Sequence, residues 1–444
     1  MAALPRAHPG RAGGHARRRL PRPPTRGGPG MNFLRKLIWV YLILLTVEGA
    51  LRKWGIPSLQ APLLLIRDPL VFWIYIVAAM RGLSFTRNGF FIPNLALAVI
   101  ASVTATIFGV ANALVTVYGL RTDYLQVPLI FLLPQILNRD DVLLLGKFFL
   151  WSALPMTALV VLQFRSPPGS FWNKGAMATH YYTVRPSGTF SFSNGLAYFY
   201  SFSSAFVLYG YLHKRTYPIW LLGLVTFATL LAAGCSGSRG MILSIGLVVI
   251  AAVFCVVMRG KGMGGVLIAA ALIAIAVSIL SSLSVFHEAT EQLQERFVDA
   301  GVNEQQQGGM LGRYFGTLFD AFDTAATVPF FGYGLGTGTN GAAALFSASS
   351  DLPWPESEWA RLVFERGAIL GLLQCAFRVA LTYAIGMAAF RAYRRDNILP
   401  LLLFAAVGQL VLNGQWGGPT PLGFAHPRRG PDPGRVRGAR GPVG

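Results

Sequence analysis

Long apolar runs separated by short charged segments fill the chain between residues 31 and 415. At about 20 residues per membrane crossing, they predict about eleven transmembrane helices. The runs lie near residues 35–51, 62–80, 92–117, 124–138, 142–164, 191–212, 218–235, 240–258, 263–285, 367–390 and 398–415. The second and fourth are the least regular, because Arg67 and Asp68 interrupt one, and Pro128 and Pro134 break the other. The pattern predicts an all-α, polytopic integral membrane protein.

The composition agrees with a chain that lies mostly in lipid. Hydrophobic residues make up 53% of it and charged residues only 13%, about half the charged share of a typical soluble protein. Hydrocarbon offers a backbone no hydrogen bonds, so each crossing satisfies its own peptide groups as a helix. The cysteines Cys235, Cys255 and Cys375 lie in or beside apolar runs without metal-site spacing, so we expect small core residues.

The net charge of +20 does not indicate nucleic-acid binding, because more than half of it lies in two tails outside the apolar body. Residues 1–30 carry seven arginines and no acid, and residues 416–444 carry five arginines and one aspartate. Both tails are rich in Pro and Gly, and we expect both to be disordered. We interpret Met31 as the natural start and 416–444 as the product of a reading-frame shift, a hypothesis that an intact frame on resequencing would contradict.

The charges between the runs predict the orientation. Alternate loops are basic, which is typical of the cytoplasmic side. Their cations are Arg35, Lys36, Arg81, Arg87, Arg139, Lys147, Lys214, Arg215, Arg259, Lys261, Arg391, Arg394 and Arg395. The N-terminus is therefore predicted to be cytoplasmic, with nine helices in 31–285 and two in 367–415. Between them, 286–366 is predicted to be a large periplasmic loop that contains short helices.

Arginines on the predicted outer face are the anomaly in this pattern, because topology does not require them there. They are Arg121, Arg165, Arg185, Arg239, Arg313, Arg361 and Arg366. Guanidinium groups bind phosphate through paired hydrogen bonds, so a group of them at the membrane surface suits a lipid-linked pyrophosphate. For any single arginine, snorkelling or contact with lipid headgroups is the alternative.

Two acids precede an amphipathic stretch at the end of the large loop. Glu356 and Glu358 lie in PWPESEWARLVFERGAILG, where either carboxylate could act as a general base toward an acceptor hydroxyl. The alternative is structural, because the helix dipole and capping favour acids at a helix start. Nearby, GYGLGTG (332–338) lacks the preceding strand and the lysine of a nucleotide-binding loop, and we expect a flexible turn.

Four segments, taken in order, resemble the O-antigen ligase and O-antigen polymerase superfamily. They are RPSGTFSFSNGLAYF (185–199), SGSRGMILS (236–244), GRYFGTLFDAF…PFFGYGLGTG (312–338) and ESEWARLVFERGAILGLL (356–373). The opening EGALRKWGIP…LIRDPLVFWIY (48–75) is similar to bacterial exopolysaccharide polymerases of that group. Members have ten to twelve transmembrane helices and one large outer loop late in the sequence. The resemblance covers the apolar body, residues 31–415.

The resemblance implies glycan transfer at the periplasmic face of the bacterial inner membrane, in O-antigen or exopolysaccharide biosynthesis. The donor would be a saccharide on undecaprenyl pyrophosphate and the acceptor a hydroxyl of another glycan or of a lipid, with a chain-length regulator as a further partner. No cofactor, nucleotide or metal is implied. Arg185, Arg239 and Arg313 correspond to the arginines that bind the pyrophosphate, and Glu356 or Glu358 would activate the acceptor.

The chain departs from the family in two places. Ligases carry a His, followed by Asn, Ser or Gln, with nine residues between that pair and a Gly; here Glu356 takes the place of the His and Gly367 that of the Gly. This difference favours a polymerase over a ligase. The family also continues past 415 with a further helix, so a truncated or frame-shifted C-terminus would leave this copy inactive.

A transporter or flippase of lipid-linked sugars is the alternative from another class. Such proteins show internal repeats, broken helices and ionisable residues at mid-membrane, of which the sequence offers only the Arg67–Asp68 pair. The Asp140–Asp141 pair would suit a metal-dependent glycosyltransferase, but the predicted orientation places it inside, where a turn is the better interpretation.

Overall fold

The computed structural model describes residues 29–59, 62–83, 86, 88–110, 112–174, 178–180, 183–213, 215–260, 263–291, 294, 309–339, 355 and 357–416. Within these residues the chain is helical apart from one short hairpin. The expectations for the two tails lie almost wholly outside them, as do those for residues 295–308 and 340–354 of the large loop.

The helices follow the apolar runs of the sequence. They are α1 (Pro29–Ala50), α2 (Asp68–Met80), α3 (Phe91–Phe108), α4 (Ala113–Leu120), α5 (Val127–Ile136), α6 (Arg139–Arg165), α7 (Ser193–Leu212), α8 (Ile219–Ser236), α9 (Arg239–Arg259), α10 (Met263–Ser281), α11 (Gly309–Thr327), α12 (Glu358–Tyr393) and α13 (Leu399–Asn413). Shorter elements are π-helical turns at Leu51–Gly55 and Arg121–Leu125, 3-10 turns at Pro57–Leu59, Pro62–Leu65 and Phe171–Asn173, and the antiparallel strands β1 (Ala178–His180) and β2 (Thr183–Val184).

Six helices of the described part, α3, α6, α8, α9, α10 and α12, are long and apolar enough to cross a membrane. In all of them except α8, less than half of the apolar stretch is buried inside the protein, as expected where lipid covers the remainder. The chain is therefore a helical membrane protein, as the hydropathy predicts.

The predicted span over 92–117 is wrong in one respect, because a break at 109–112 divides it. The Val110 N–H leaves the helix and donates to the Tyr333 carbonyl at 3.0 Å. A new helix then begins at Ala113, capped by the Asn112 side chain, which accepts from the Val115 N–H at 3.0 Å.

The apolar run at 124–138 is not a separate span but the second half of a longer helical segment that begins with α4. α4 continues through the π-helical turn Arg121–Leu125 into α5. At about 1.5 Å per residue, the path from Ala113 to Ile136 is long enough to cross a membrane once. π-helical turns inside helices occur often at functional sites, and this one carries the buried Asp123.

α7 lies at the centre of the bundle, where it packs against α6, α8, α9, α10 and α13. Most of its side chains are buried, including the large rings of Phe199 and Phe206. Its polar groups are satisfied internally, since the Tyr200 hydroxyl lies 2.6 Å from Thr157 Oγ1 and Ser201 Oγ donates to the Ala406 carbonyl at 3.2 Å. The turn that precedes α7 is thus attached to a well-packed helix.

α12 folds back on itself at Gly367. A continuous helix would separate residues 20 positions apart by about 30 Å, yet Arg378 Nη1 lies 2.9 Å from the Glu358 carboxylate. The reversal occurs at Gly367, whose φ of 78° and ψ of 176° are not helical. A Cβ there would also lie 1.9 Å from the Phe330 carbonyl oxygen, so only glycine fits. We call residues 358–366 the fold-back helix.

The glycine-rich segment 332–338 is an ordered packing element and not the flexible turn that its composition predicts. The Tyr333 and Gly334 N–H groups donate to the carbonyls of Phe364 and Glu365 at 2.9 and 3.0 Å. A Cβ at Gly119 would lie 2.4 Å from the Gly336 nitrogen, so the two backbones meet directly. The segment therefore joins α4 to the fold-back helix.

Candidate functional site

Arg185 and Arg239, two of the predicted pyrophosphate ligands, lie close to each other. Arg185 is on the turn between β2 and α7, and Arg239 is the first residue of α9. Burial lowers the pKa of the Arg185 guanidinium, and the nearby positive charge of Arg239 lowers it further. The Arg185 Nε is buried and has no hydrogen-bond partner among the described residues. We call these two half-buried side chains the paired-arginine site; a bound anion would stabilise it.

The backbone at Arg239 adds to this positive potential. Gly237 takes left-handed angles (φ 53°) to end α8, and the Ser238 hydroxyl caps α9 by accepting from the Met241 N–H at 3.3 Å. Arg239 therefore occupies the first turn of a 21-residue helix, where the helix dipole favours negative charge and disfavours a cation. A cation in this position beside a second cation is typical of an anion-binding site.

A buried lysine holds the turn that carries Arg185. Lys53, in the π-helical turn that follows α1, donates from its ammonium group to the Ser187 hydroxyl at 2.6 Å and to the Phe190 carbonyl. Burial, reinforced by the charge of Arg52 next to it, lowers the pKa of Lys53 to about 8. Lys53 thus adds a third cationic group to this face and fixes the position of the turn.

Gln163 holds the same turn from the other side. Its amide oxygen accepts from the Ser187 and Gly188 N–H groups at 3.2 and 2.8 Å. Its amide nitrogen donates to the carbonyls of Gly188 at 3.2 Å and Trp172 at 3.1 Å. Gln163 is fully buried, and breaking such a satisfied amide would leave several buried backbone groups without partners.

Deeper in the protein, six charged side chains form an ionic cluster, namely Asp123, Glu358, Arg361, Glu365, Arg366 and Arg378. Arg361 lies at its centre, 2.7 Å from the Asp123 carboxylate and 2.9 Å from that of Glu358. Glu365 accepts from Arg361 at 2.8 Å, and Arg366 pairs with Asp123. Three cations and three anions leave the cluster formally neutral, and burial of so many charges is tolerated because each is paired.

The geometry of Glu358 favours the structural alternative over general-base chemistry. Its Oε1 accepts from Arg361, from Arg378 and from the Trp416 N–H at 2.9, 2.9 and 3.1 Å, and its Oε2 accepts from Arg361 at 2.9 Å. Both carboxylate oxygens are therefore engaged in hydrogen bonds and the side chain is buried, so it is poorly placed to reach an acceptor hydroxyl. The second predicted base, Glu356, lies outside the described residues, as does the side chain of Arg313.

Arg121 and Arg165, the remaining outward arginines, each have an acid close by. Arg121 forms an ion pair with Asp68. Arg165 donates to the Ser284 hydroxyl at 3.2 Å and lies 3.9 Å from the Glu288 carboxylate. Of the predicted outward arginines whose side chains are described, Arg121, Arg165, Arg361 and Arg366 therefore each have an acid within 4 Å. For Arg185, the neighbouring charge that acts on its pKa is the positive charge of Arg239.

Sequence reasoning missed Lys53, Gln163 and Asp123. Lys53 carried a usable signal, because it lies with Arg52 at the predicted outer end of a span, where topology does not require cations. Gln163 and Asp123 carried none, because a single polar residue inside an apolar run does not reveal which distant backbone or side chain it contacts.

Comparison of the chain with protein-family models, with characterised proteins and with solved structures finds no match.

Proposed function

We propose that this protein is a membrane glycan polymerase or ligase, which transfers a saccharide from a polyprenyl-pyrophosphate donor to a hydroxyl of a glycan or lipid acceptor. The observation that carries the proposal is the paired-arginine site, in which Arg185 lies close enough to Arg239, at the positive end of a helix, for the one charge to lower the pKa of the other. A pyrophosphate supplies several charged oxygens within the reach of two guanidinium groups. The reaction would take place at the periplasmic face of the bacterial inner membrane, in O-antigen or exopolysaccharide biosynthesis.

In this reaction the acceptor oxygen attacks the anomeric carbon of the donor sugar, and the bond from that carbon to the pyrophosphate oxygen breaks. The acceptor proton passes to a base, and polyprenyl pyrophosphate departs with the negative charge. Arg185 and Arg239 would stabilise that charge as it develops, which is where an enzyme gains most of its rate. Glu356 is the base we propose, because the Glu358 carboxylate is already held by two arginines.

The topology belongs to the same proposal. Eleven crossings, an N-terminus in the cytoplasm and a large periplasmic loop over 286–366 would place the paired-arginine site and Glu356 on one side of the membrane. A lipid-linked donor reaches that side only after a flippase has moved it across, and a chain-length regulator would act there on the product.

The test is transfer in proteoliposomes that contain the purified full chain and an undecaprenyl-pyrophosphate saccharide. Arg185→Ala and Arg239→Ala should each lower the rate by about a hundredfold, as loss of one charge-stabilising donor does in other enzymes. Arg391→Ala, at an exposed position in the last turn of α12, is the matched control and should leave the rate unchanged. In a knockout strain, wild type should restore the chain length of the surface polysaccharide and Arg239→Ala should not; full restoration by Arg239→Ala would contradict the phosphate role.

A transporter or flippase of lipid-linked sugars is the second candidate, and broken helices favour it. The break at 109–112, the π-helical turn at Arg121–Leu125 and the reversal at Gly367 lie beside the buried ionic cluster, a combination typical of transporters. Proteoliposomes separate the two functions. Movement of a labelled lipid-linked saccharide across the bilayer, without any new glycosidic bond, would support transport and contradict the transferase.

A further inference from the structure

Three aromatic rings form a platform at the outer ends of α1 and α6. They belong to Trp54, Phe171 and Trp172. The Trp54 ring centroid lies 6.4 Å from that of Phe171 and 6.3 Å from that of Trp172, and the latter two centroids are 5.3 Å apart. Phe171 and Trp172 remain 52% and 39% exposed. Large rings left exposed in a cluster are a common feature of binding surfaces.

The platform is held rigidly from beneath. The Trp54 Nε1–H donates to the Phe171 carbonyl at 2.9 Å. The buried Asn173 amide donates to the carbonyls of Gln163, Ser166 and Pro167 at 3.0, 2.8 and 3.1 Å, which fixes the 3-10 turn against the end of α6. Ordered rings lose little conformational entropy when a ligand binds, so a rigid platform is prepared for binding.

Two separate ties place the platform beside the paired-arginine site. A single atom, Gln163 Nε2, donates to both the Trp172 and the Gly188 carbonyls, so these two oxygens lie within two hydrogen-bond lengths of each other. Gly188 is on the turn that carries Arg185. The second tie is Lys53, which binds that same turn through Ser187 and precedes Trp54 in the chain.

We propose that the platform binds the saccharide of the lipid-linked donor, with pyranose rings stacked on Phe171 and Trp172. The C–H groups of a pyranose face carry partial positive charge and are attracted to the negative face of an aromatic ring. Lys174, whose ammonium lies 4.9 Å from the Phe171 ring centroid, is placed to donate to sugar hydroxyls. This inference rests on the proposed function, because a pyrophosphate held by Arg185 and Arg239 places the sugar bonded to it beside the platform.

The lipid–water interface is the competing occupant, because aromatic residues are enriched there. The contacts of Gln163 and Lys53 with the turn that carries Arg185 favour the saccharide. A ring that only lies in the lipid–water interface would not need to be fixed beside that turn. The distinction is measurable, because an interfacial ring would affect every polyprenyl ligand alike, whereas a sugar-binding ring affects only those that carry sugar.

The experiment measures the affinity of the full chain in nanodiscs for undecaprenyl pyrophosphate, bare or carrying glucose, galactose or N-acetylglucosamine. Wild type should bind at least one saccharide form about tenfold more tightly than the bare lipid. Trp172→Ala and Phe171→Ala should abolish that difference and leave the affinity for the bare lipid unchanged; the tenfold change corresponds to one or two lost ring contacts. Trp172→Phe keeps a stacking face and should retain most of the difference.

Trp220→Ala is the matched control, because this ring is 54% exposed on α8, away from the platform. It should change neither affinity. Equal loss for bare and sugar-bearing lipid in Trp172→Ala, confirmed as folded by gel filtration, would overturn the saccharide contact, and so would unchanged affinity for both. If wild type binds no pyrophosphate lipid, the proposed function fails as well and this inference falls with it.

Discussion

An arginine that faces another arginine differs chemically from one that faces carboxylates. Arg361 and Arg378 saturate the acids around them and hold α12 folded, so a phosphate would have to compete with ion pairs already made. For Arg185, burial and the positive charge of Arg239 lower the pKa instead, and an anion bound beside the two side chains would offset that effect. The identity of the neighbour therefore separates the two roles, although Arg185, Arg239 and Arg361 all belonged to the outward arginines that the sequence offered as phosphate ligands.

Replacing Glu358 by glutamine should destabilise the protein. The change removes the negative charge between Arg361 and Arg378, and loss of one partner from a buried ion pair costs about 3–5 kcal/mol. Thermal unfolding in detergent should show a midpoint several degrees below that of wild type. Glu288→Gln is the control, because this exposed acid lies 3.9 Å from Arg165 and should matter little. A Glu358→Gln protein of normal stability that had lost transfer would restore Glu358 as the catalytic base.

Lys53 should make the stability depend on pH above neutrality. Its pKa is about 8 in the folded protein against 10.5 for the free side chain, so between these values the unfolded chain binds more protons and stability rises with pH. The cost of burying the charge is fully present below pH 8 and is relieved toward pH 10. We expect a gain of up to about 3 kcal/mol relative to Lys53→Arg, which stays charged. The measurement is the free energy of unfolding of both proteins at several pH values between 8 and 10. The same pH dependence in wild type and Lys53→Arg would contradict the prediction.

At the scale of elements, breaks in regular helices organise the interior. The reversal at Gly367 brings Glu358 alongside Arg378, and the π-helical turn Arg121–Leu125 turns Asp123 toward Arg361. The glycine-rich segment 332–338 holds the reversal and the π-helical turn in place. Its backbone is hydrogen-bonded to the fold-back helix and packs against α4, which continues into that turn. The reversal, the π-helical turn and the glycine-rich segment thus pack together, and we call them the buried joint.

Gly367→Ala should disrupt this joint. The new Cβ would lie 1.9 Å from the Phe330 carbonyl oxygen, and the φ of 78° is itself unfavourable for alanine. We expect a loss of more than about 3 kcal/mol in unfolding free energy, or no folded protein. Gly246→Ala on α9 is the control, since its Cβ would meet nothing within 4 Å and alanine favours helix there. Equal unfolding midpoints for the two variants would show that Gly367 is not required for the reversal.

An element could be predicted from the sequence where local residues determine it, and not where a distant contact does. The run at 218–235 predicted α8 (Ile219–Ser236) almost to the residue, because its length and ends are properties of the local sequence. The break at 109–112 was not predicted, although Gly109 and Asn112 are typical of a helix end and a helix start. The hydrogen bond formed there, from Val110 to Tyr333, joins residues more than two hundred positions apart and has no signal in the local sequence. The same holds for the candidate site. Positive charge on the predicted outer face indicated Arg185 and Arg239, whereas the hydrogen bonds of Gln163 to the turn that carries Arg185 depend on the tertiary fold.

At the scale of the whole molecule, charged side chains fall into three groups that differ in burial and in their neighbours. Most cations of the predicted inner loops that the structure describes, such as Arg394, are exposed, where they can meet anionic lipid headgroups. The acids and arginines of the ionic cluster are buried and balanced. The cations at the predicted outer face, Lys53, Arg185 and Arg239, are partly or wholly buried around one turn. In the proposed orientation, this group of cations lies on the periplasmic side of the membrane.

That orientation can be tested with single cysteines, because Cys235, Cys255 and Cys375 are all buried and should react slowly. Gly169→Cys, in the exposed turn after α6, should be labelled by a membrane-impermeant maleimide in intact spheroplasts. Arg394→Cys, at the exposed end of α12, should be labelled only after the membrane is permeabilised. Wild type provides the background. The reverse pattern would place the paired-arginine site in the cytoplasm, where a donor would not need to be flipped, and would contradict transfer at the periplasmic face.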